Sequence, residues 1–226
     1  DGHPWEAYGR DMIEGQADFN RPFFLNSLVA DCLATVPEIH ERLSRPGARV
    51  AEIGCGGGWA SIAIARGYPG ATVEGFDPDT LSIDLANENA REYGVADRVR
   101  FHAVDAGTVA GDRTFDLVAA FECIHDLADP VSVLRSMRSL AAEGGTVLVM
   151  DERVADKFGE ADDVERFFYG FSITTCLPNG RTETPSAATG TVMRAPVLER
   201  YAREAGFGGI EVMPIENDFF RFYRLR

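Results

Sequence analysis

The spacing of apolar residues divides this chain into two regimes. In the first 48 residues Phe23, Phe24, Leu28, Val29, Leu33 and Val36 recur near helical spacing, and the Arg-Pro-Gly-Ala stretch 45–48 reads as a turn. Residues 1–48 are therefore expected to form a helical N-terminal extension. From Arg49 onward, short apolar runs alternate with amphipathic ones. Stretches 49–54, 71–77, 98–106, 114–124 and 145–153 read as strands. Stretches 59–68, 79–95 and 129–145 read as helices, the second with Leu81, Ile83, Leu85 and Ala86 turned inward and Gly94 just past its end, the third entered through Asp129 as N-cap and Pro130 in its first turn.

Strand–helix repetition of this kind predicts an α/β fold: a doubly wound, mostly parallel sheet with helices on both faces. The pattern breaks at 154–193, where aromatic and polar residues mix over a stretch too long for a plain connection. A helix followed by an ordered loop over the site is expected there, an inserted lid or acceptor-pocket segment. A last helix over 197–206 leads into two strands, 207–215 and 218–226, paired antiparallel across 216–218. Residues 49–226 would then form one ligand-binding domain. In such sheets ligands sit beyond the carboxyl ends of the strands, and the chemically interesting residues fall there: Glu52–Gly58, Asp77, Asp105, Glu122–Asp126 and Asp151–Glu152.

Bulk properties narrow the partners. The 226 residues carry a formal charge of −14, which opposes phosphate backbones, so no nucleic-acid partner is expected. No run approaches the roughly 18–20 apolar residues that span a bilayer, and no membrane partner is expected. Cys32, Cys55, Cys123 and Cys176 form no CxxC pair and no zinc-ligand spacing, which suits a reducing, cytoplasmic setting, with Cys55 and Cys123 as packing residues. The chain begins with Asp1 rather than Met, so a fragment of a longer chain is one expectation.

The stretch Val50–Ala65 holds the most specific signal. An apolar strand runs into four glycines within five residues and then directly into a small-residue helix, an arrangement suited to a backbone that must lie close against a ligand. The GxGxxG spacing of dinucleotide folds fails, because its third glycine would fall on Trp59 or Ser61; a P-loop fails for want of its lysine. What fits is E-x-G-x-G-x-G: Glu52, Gly54, Gly56 and Gly58. Asp77 closes the next strand about twenty residues later, a carboxylate able to accept from two sugar hydroxyls. Asp105 closes the third, and Phe-Asp-Leu-Val-Ala-Ala-Phe-Glu-Cys-Ile-His-Asp spans the fourth.

In this order the motifs resemble class I S-adenosylmethionine-dependent methyltransferases over nearly the whole chain after residue 48. The stretches 169–180 and 189–193 and the ending 216–225 resemble a bacterial group in which a winged-helix domain precedes the catalytic one; no such domain is present here, and a homodimer is implied if it is missing. The resemblance implies a Rossmann-like sheet with a C-terminal antiparallel strand and S-adenosylmethionine as cofactor, leaving S-adenosylhomocysteine. It places the cofactor against Glu52, Gly54, Cys55, Gly56, Gly58, Asp77, Pro78, Asp105, Ala106, Phe121 and Glu122, with Tyr8 and Met12 closing over its methionine end. It implies methyl transfer to an oxygen of a small molecule. Transfer to nitrogen, carbon or a macromolecule, or a regulatory module that binds the cofactor without catalysis, stays open.

His125 follows the fourth strand and is the candidate general base, its unperturbed pKa suiting proton transfer near neutrality. Asp126 either orients it or caps a loop. Glu122 and Glu152 bind an acceptor, bind a metal together with Asp151, or are solvated; no metal is expected. Phe167, Phe168, Tyr169 and Phe171 wall an acceptor pocket or form local core, and Arg194 meets an anionic acceptor or opens a helix. His3, His40 and His102 show no partner in sequence and read as structural or exposed.

Overall fold

A computed structural model describes residues 2–109, 111, 113–160 and 162–226. After a single turn at Trp5–Tyr8 come α1 (Arg10–Phe23), a π-helical continuation over Phe24–Cys32, and α2 (Pro37–Leu43). Then β1 (Arg49–Ile53), α3 (Trp59–Gly67), β2 (Thr72–Asp77), α4 (Thr80–Glu92), β3 (Val99–Ala103) and β4 (Phe115–Phe121) follow. A turn at Ile124–Asp126 leads to α5 (Pro130–Leu140) and β5 (Ala141–Glu152). The chain continues through α6 (Asp163–Phe171), a π-helical stretch Ser172–Cys176 and α7 (Leu177–Gly180), and ends with α8 (Ala195–Glu204), β6 (Ile210–Val212) and β7 (Phe220–Leu225).

The strands form one seven-stranded sheet in the order β3-β2-β1-β4-β5-β7-β6. β1 to β5 are parallel; β7 runs antiparallel between β5 and β6. The expected α/β sheet with its antiparallel C-terminal strand is thus present. Winding reverses between β1 and β4, the place where a ligand crevice opens at the strands' carboxyl ends.

Strict alternation along the strands supplies both faces. Val50, Leu117, Ala119, Phe121, Leu148, Met150 and Phe222 point to one side; Ala51, Val118, Ala120, Val147, Val149 and Tyr223 point to the other. The N-terminal helical segment is part of the first side: Leu28, Leu33, Ile39 and Leu43 are fully buried with Ile62 and Ile64 of α3. On the other side Leu134 and Met137 of α5 pack with Leu198, Tyr201 and Ala202 of α8.

Register fixes the site. Ile53 stands beside Phe76 and Ala120, and Phe121 beside Met150. One residue past each pairing, Gly54, Asp77, Glu122 and Asp151 emerge at a common edge. Among the described residues no helix is long and apolar enough to cross a membrane.

Candidate active site

The common edge opens into a cavity of about 980 Å³ roofed by α1, α6 and α7. Its glycine-rich rim explains itself at two positions. Gly56 has φ 47°, a left-handed conformation, and a Cβ there would meet nothing within 4 Å, so this piece of backbone faces open space. Gly58, also left-handed at φ 78°, is pressed on the far side: a Cβ would stand 2.6 Å from Phe101 and 2.9 Å from Ala86. Gly56 bares main chain to the cavity, while Gly58 brings α3 tight against the sheet and itself stands off the cavity wall.

Asp77 secures that rim. Its Oδ2 accepts from the Gly56 amide at 3.0 Å and its Oδ1 from the Asp79 amide at 2.9 Å. The capping of α4 falls to Asp79, whose Oδ2 accepts from the Ser82 amide at 2.8 Å. Asp77 is therefore free of capping duty and lines the cavity beside Pro78. Burial pushes its carboxyl up to about 6, against the two amide bonds that favour the anion. Glu52, 3% exposed at the end of β1, accepts from the Ser61 hydroxyl of α3; burial drives it up to about 8. Asp105 accepts from the Gly107 amide at 2.8 Å and lines the cavity; Ala106 lies buried behind it, off the wall. Cys55 is on the wall, but burial raises its thiol far above the ordinary value and keeps it neutral.

The opposite half is built around His125, 2% exposed. Its Nδ1 lies 2.7 Å from Asp151 Oδ1 and 3.1 Å from Glu152 Oε2, and its Nε2 lies 3.3 Å from Asp126 Oδ1. Burial alone would lower the imidazole pKa. Asp151, Glu152 and Asp126 outweigh it and hold the ring well above its usual value. Asp151 is correspondingly held low by facing His125, despite its burial, while burial raises Glu152. Glu122 joins from β4 with an unusual left-handed backbone, φ 54°, and burial pushes it up to about 8. The residue that orients His125 is thus Asp151, a neighbour in space from β5, more than the adjacent Asp126.

Aromatic rings close the cavity. Phe167, Phe168 and Phe171 of the inserted segment line it, joined by Phe121 and Phe24. Tyr169 turns away to accept from Arg194 Nη2 at 2.9 Å, and the same guanidinium holds Glu165 at 2.6 Å. Arg194 therefore ties the lid together and does not reach the cavity wall.

Tyr8 and Met12 do not line the cavity. Tyr8 donates to the Thr174 carbonyl at 3.0 Å, and the helix face that meets the cavity carries Ile13, Gln16, Ala17 and Asn20. Spacing of three and four residues makes this one face of α1, a signal readable in sequence once the helix is placed. Trp59 was also passed over. It is 4% exposed and lines the cavity, and its Nε1 has no hydrogen-bond partner. The remaining histidines have other partners: His40 meets Tyr68 OH at 3.3 Å, His102 meets Glu74 at 3.2 Å, and His3 packs edge-on to Tyr8.

Residues 44–177 match the family described as Methyltransferase domain. A stretch of 102 residues is 38% identical to the ubiquinone biosynthesis O-methyltransferase of Paracidovorax citrulli (strain AAC00-1), covering 45% of this chain and 42% of that protein. Matches to such curated relatives thus span less than half of their length. Among solved structures, an O-methyltransferase family protein from Burkholderia thailandensis superposes with TM-score 0.69 at 15% identity, over 95% of this chain and 58% of that one. The mitomycin 7-O-methyltransferase superposes with TM-score 0.69 at 16% identity, over 95% and 56%. At these identities the structural likeness is one of fold.

Proposed function

This chain belongs to the methyltransferase domain family, and from that premise we propose that it transfers the methyl group of S-adenosylmethionine to an oxygen of a small molecule. The observation that carries this reading is the placement of His125, its Nδ1 on Asp151, on the wall of the same cavity as the glycine rim and Asp77. The cofactor supplies an electrophilic methyl on a sulfonium. The protein's work is to hold, align and exclude water.

The residues fit that cofactor. The sugar hydroxyls find Asp77, which keeps acceptor capacity beyond its two amide bonds. The bare main chain at Gly56, whose amide is held by Asp77, allows close approach of the ligand, and the unpartnered Trp59 Nε1 is a donor for the carboxylate end. Glu52 and the other wall carboxylates suit a ligand bearing a sulfonium and an ammonium. His125, oriented through Nδ1, presents Nε2 to the acceptor hydroxyl once that hydroxyl takes the place of Asp126. Nε2 of neutral His125 would take the proton of the acceptor hydroxyl as its oxygen receives the methyl group, while the bound cofactor would keep the C–S bonding pair and depart as a neutral thioether. Four unbridged cysteines fit a reducing cytoplasm, where we place the reaction.

The test is direct. Purified protein is titrated calorimetrically with S-adenosylhomocysteine, then incubated with methyl-labelled S-adenosylmethionine and small phenols. Binding together with label in an O-methyl product supports the reading. Binding without label in any acceptor returns the chain to a non-catalytic role, and no binding removes the cofactor assignment.

A further inference from the structure

Charge is distributed one-sidedly around the cavity. Among the described residues its wall carries ten carboxylate side chains, one histidine and no Lys or Arg. Part of that acidity belongs with the cofactor half, at Glu52, Asp77 and Asp105. The acceptor half has its own share in Glu122, Asp126 and Glu152, and His125 is the single basic group that faces them.

Two of these carboxylates each keep one buried oxygen without a hydrogen-bond donor. Glu152 is 5% exposed and its Oε2 has no hydrogen-bond donor. The nearest one, His125 Nδ1 at 3.1 Å, makes its hydrogen bond to Asp151 at 2.7 Å. Glu122 Oε2 is also buried and without a donor, although the backbone adopts a left-handed conformation that a side-chain-bearing residue rarely takes. Buried polar atoms without partners are uncommon in folded proteins and call for an explanation. A cationic ligand group would satisfy both oxygens, and the side chains of Phe167, Phe168 and Phe171 would pack against the aromatic or apolar remainder of such a molecule.

Resting on the methyltransferase reading above, we propose that the acceptor is a cation: a small aromatic or apolar molecule carrying a protonated amine, which the carboxylates of Glu122 and Glu152 hold beneath the aromatic lid. An acceptor carrying a carboxylate or phosphate would find no Lys or Arg on the wall, and the one basic group, His125, is already engaged by Asp151 and Asp126. Burial raises both Glu122 and Glu152, and an arriving ammonium favours their ionised forms, so its binding draws protons off them. Proton release makes affinity rise with pH until the amine itself loses its charge. His125, Asp151 and Glu152 also lie close enough to hold a metal ion. Asp151 is off the cavity wall and already accepts from His125, so the arrangement favours the organic cation.

The experiment uses three probes of matched shape, benzylamine, benzyl alcohol and benzoate, titrated into protein saturated with S-adenosylhomocysteine. Benzylamine is expected to bind about tenfold or more tightly than either of the others. Its affinity should rise from pH 6.5 to 8.5, with a heat that depends on the ionisation enthalpy of the buffer. Glu122→Gln should cut the benzylamine-to-benzyl-alcohol preference about tenfold; the pH and buffer dependence of the unaltered protein carries the test if that variant does not fold. Equal binding, a preference for benzoate, binding of none of the three, or a strict requirement for added Mn²⁺ or Mg²⁺ would overturn the proposal. Because S-adenosylhomocysteine binding is measured first on the same sample, its absence identifies failure of the methyltransferase reading itself.

Discussion

His125 and Asp151 come from different strand ends, yet Nδ1 and Oδ1 stand 2.7 Å apart with both side chains almost fully buried. Such a pair fixes the ring's orientation and leaves Nε2 as the nitrogen that can exchange a proton with a ligand. His125→Gln should lower kcat by about 10²–10⁴-fold, the usual range for a positioned base, while S-adenosylhomocysteine affinity in calorimetry persists. Its surrounding carboxylates hold the imidazole well above its ordinary pKa, so the neutral form needed to accept a proton is scarce near neutrality. The rate should therefore rise with pH above 7. Asp151→Asn removes part of the field that sustains the cation, and should move that rise to lower pH as well as reduce its plateau. A profile identical in the two proteins would show that His125 does not govern the rate.

Asp77 makes a second pH dependence, of cofactor affinity. Its carboxyl is raised to about 6 by burial. A bound sugar donates hydrogen bonds to the ionised form, so binding favours loss of that proton. Affinity for S-adenosylhomocysteine should be full above pH 6 and fall as pH drops through it, by at most about tenfold per pH unit. Asp77→Asn should flatten this dependence and weaken binding at pH 8 by about 10- to 100-fold, as expected from losing roughly 1.5–3 kcal/mol of charge-assisted hydrogen bonding. Unchanged affinity in the variant would place the sugar elsewhere.

Two of the loop's three left-handed glycines, Gly56 and Gly58, separate binding from stability. At Gly56 an added methyl points into open space, so Gly56→Ala carries a backbone penalty of about 1–2 kcal/mol and little else. It should block the cofactor, raising the dissociation constant of S-adenosylhomocysteine more than about tenfold in a protein that still folds. Gly58→Ala adds to the same backbone cost a collision with Phe101 and Ala86, worth about 1–3 kcal/mol more. Urea unfolding of the two variants, alongside calorimetry, checks the contrast.

Most of the sheet was readable because its strands alternate cleanly and its loops end in residues with backbone meaning. Gly56, Asp77 and His125 stand at strand ends because a parallel register brings those ends level, and the sequence showed each one individually. What it did not show was pairing. His125 and Asp151 are 26 residues apart, and only the β4–β5 register makes them neighbours; in sequence Asp126 is the one adjacent carboxylate, and it reads equally as a loop cap. Helix phase was the other gap. Tyr8 and Met12 precede the glycine loop as expected, but α1 presents Ile13, Gln16, Ala17 and Asn20 instead, since a helix shows one stripe and the sequence did not reveal which stripe meets the cavity. The π-helical run Phe24–Cys32 departs from the 3.6-residue period that the apolar spacing was read against.

The aromatic lid depends on one ion pair remote from the chemistry. Arg194 Nη2 lies 2.6 Å from Glu165 Oε1, and the other oxygen of Glu165 accepts from the Ala155 amide at 2.7 Å. Glu165 is 1% exposed, so its charge is tolerated only while Arg194 remains. Arg194→Met strands a buried carboxylate and should cost about 3–5 kcal/mol. Because the pair joins α6 to the stretch that opens α8, the loss should concentrate in residues 154–176, seen as faster amide hydrogen exchange there than in β1 or β4. Acceptor KM should then rise more than cofactor Kd, since Phe167, Phe168 and Phe171 belong to the loosened segment and the glycine rim does not. Adding Glu165→Gln to Arg194→Met removes the stranded charge, so the double variant should be less damaged than the sum of the two single variants, by about 0.5–3 kcal/mol in urea unfolding. Simple additivity would mean that the two side chains contribute independently and that their ion pair does not hold the lid.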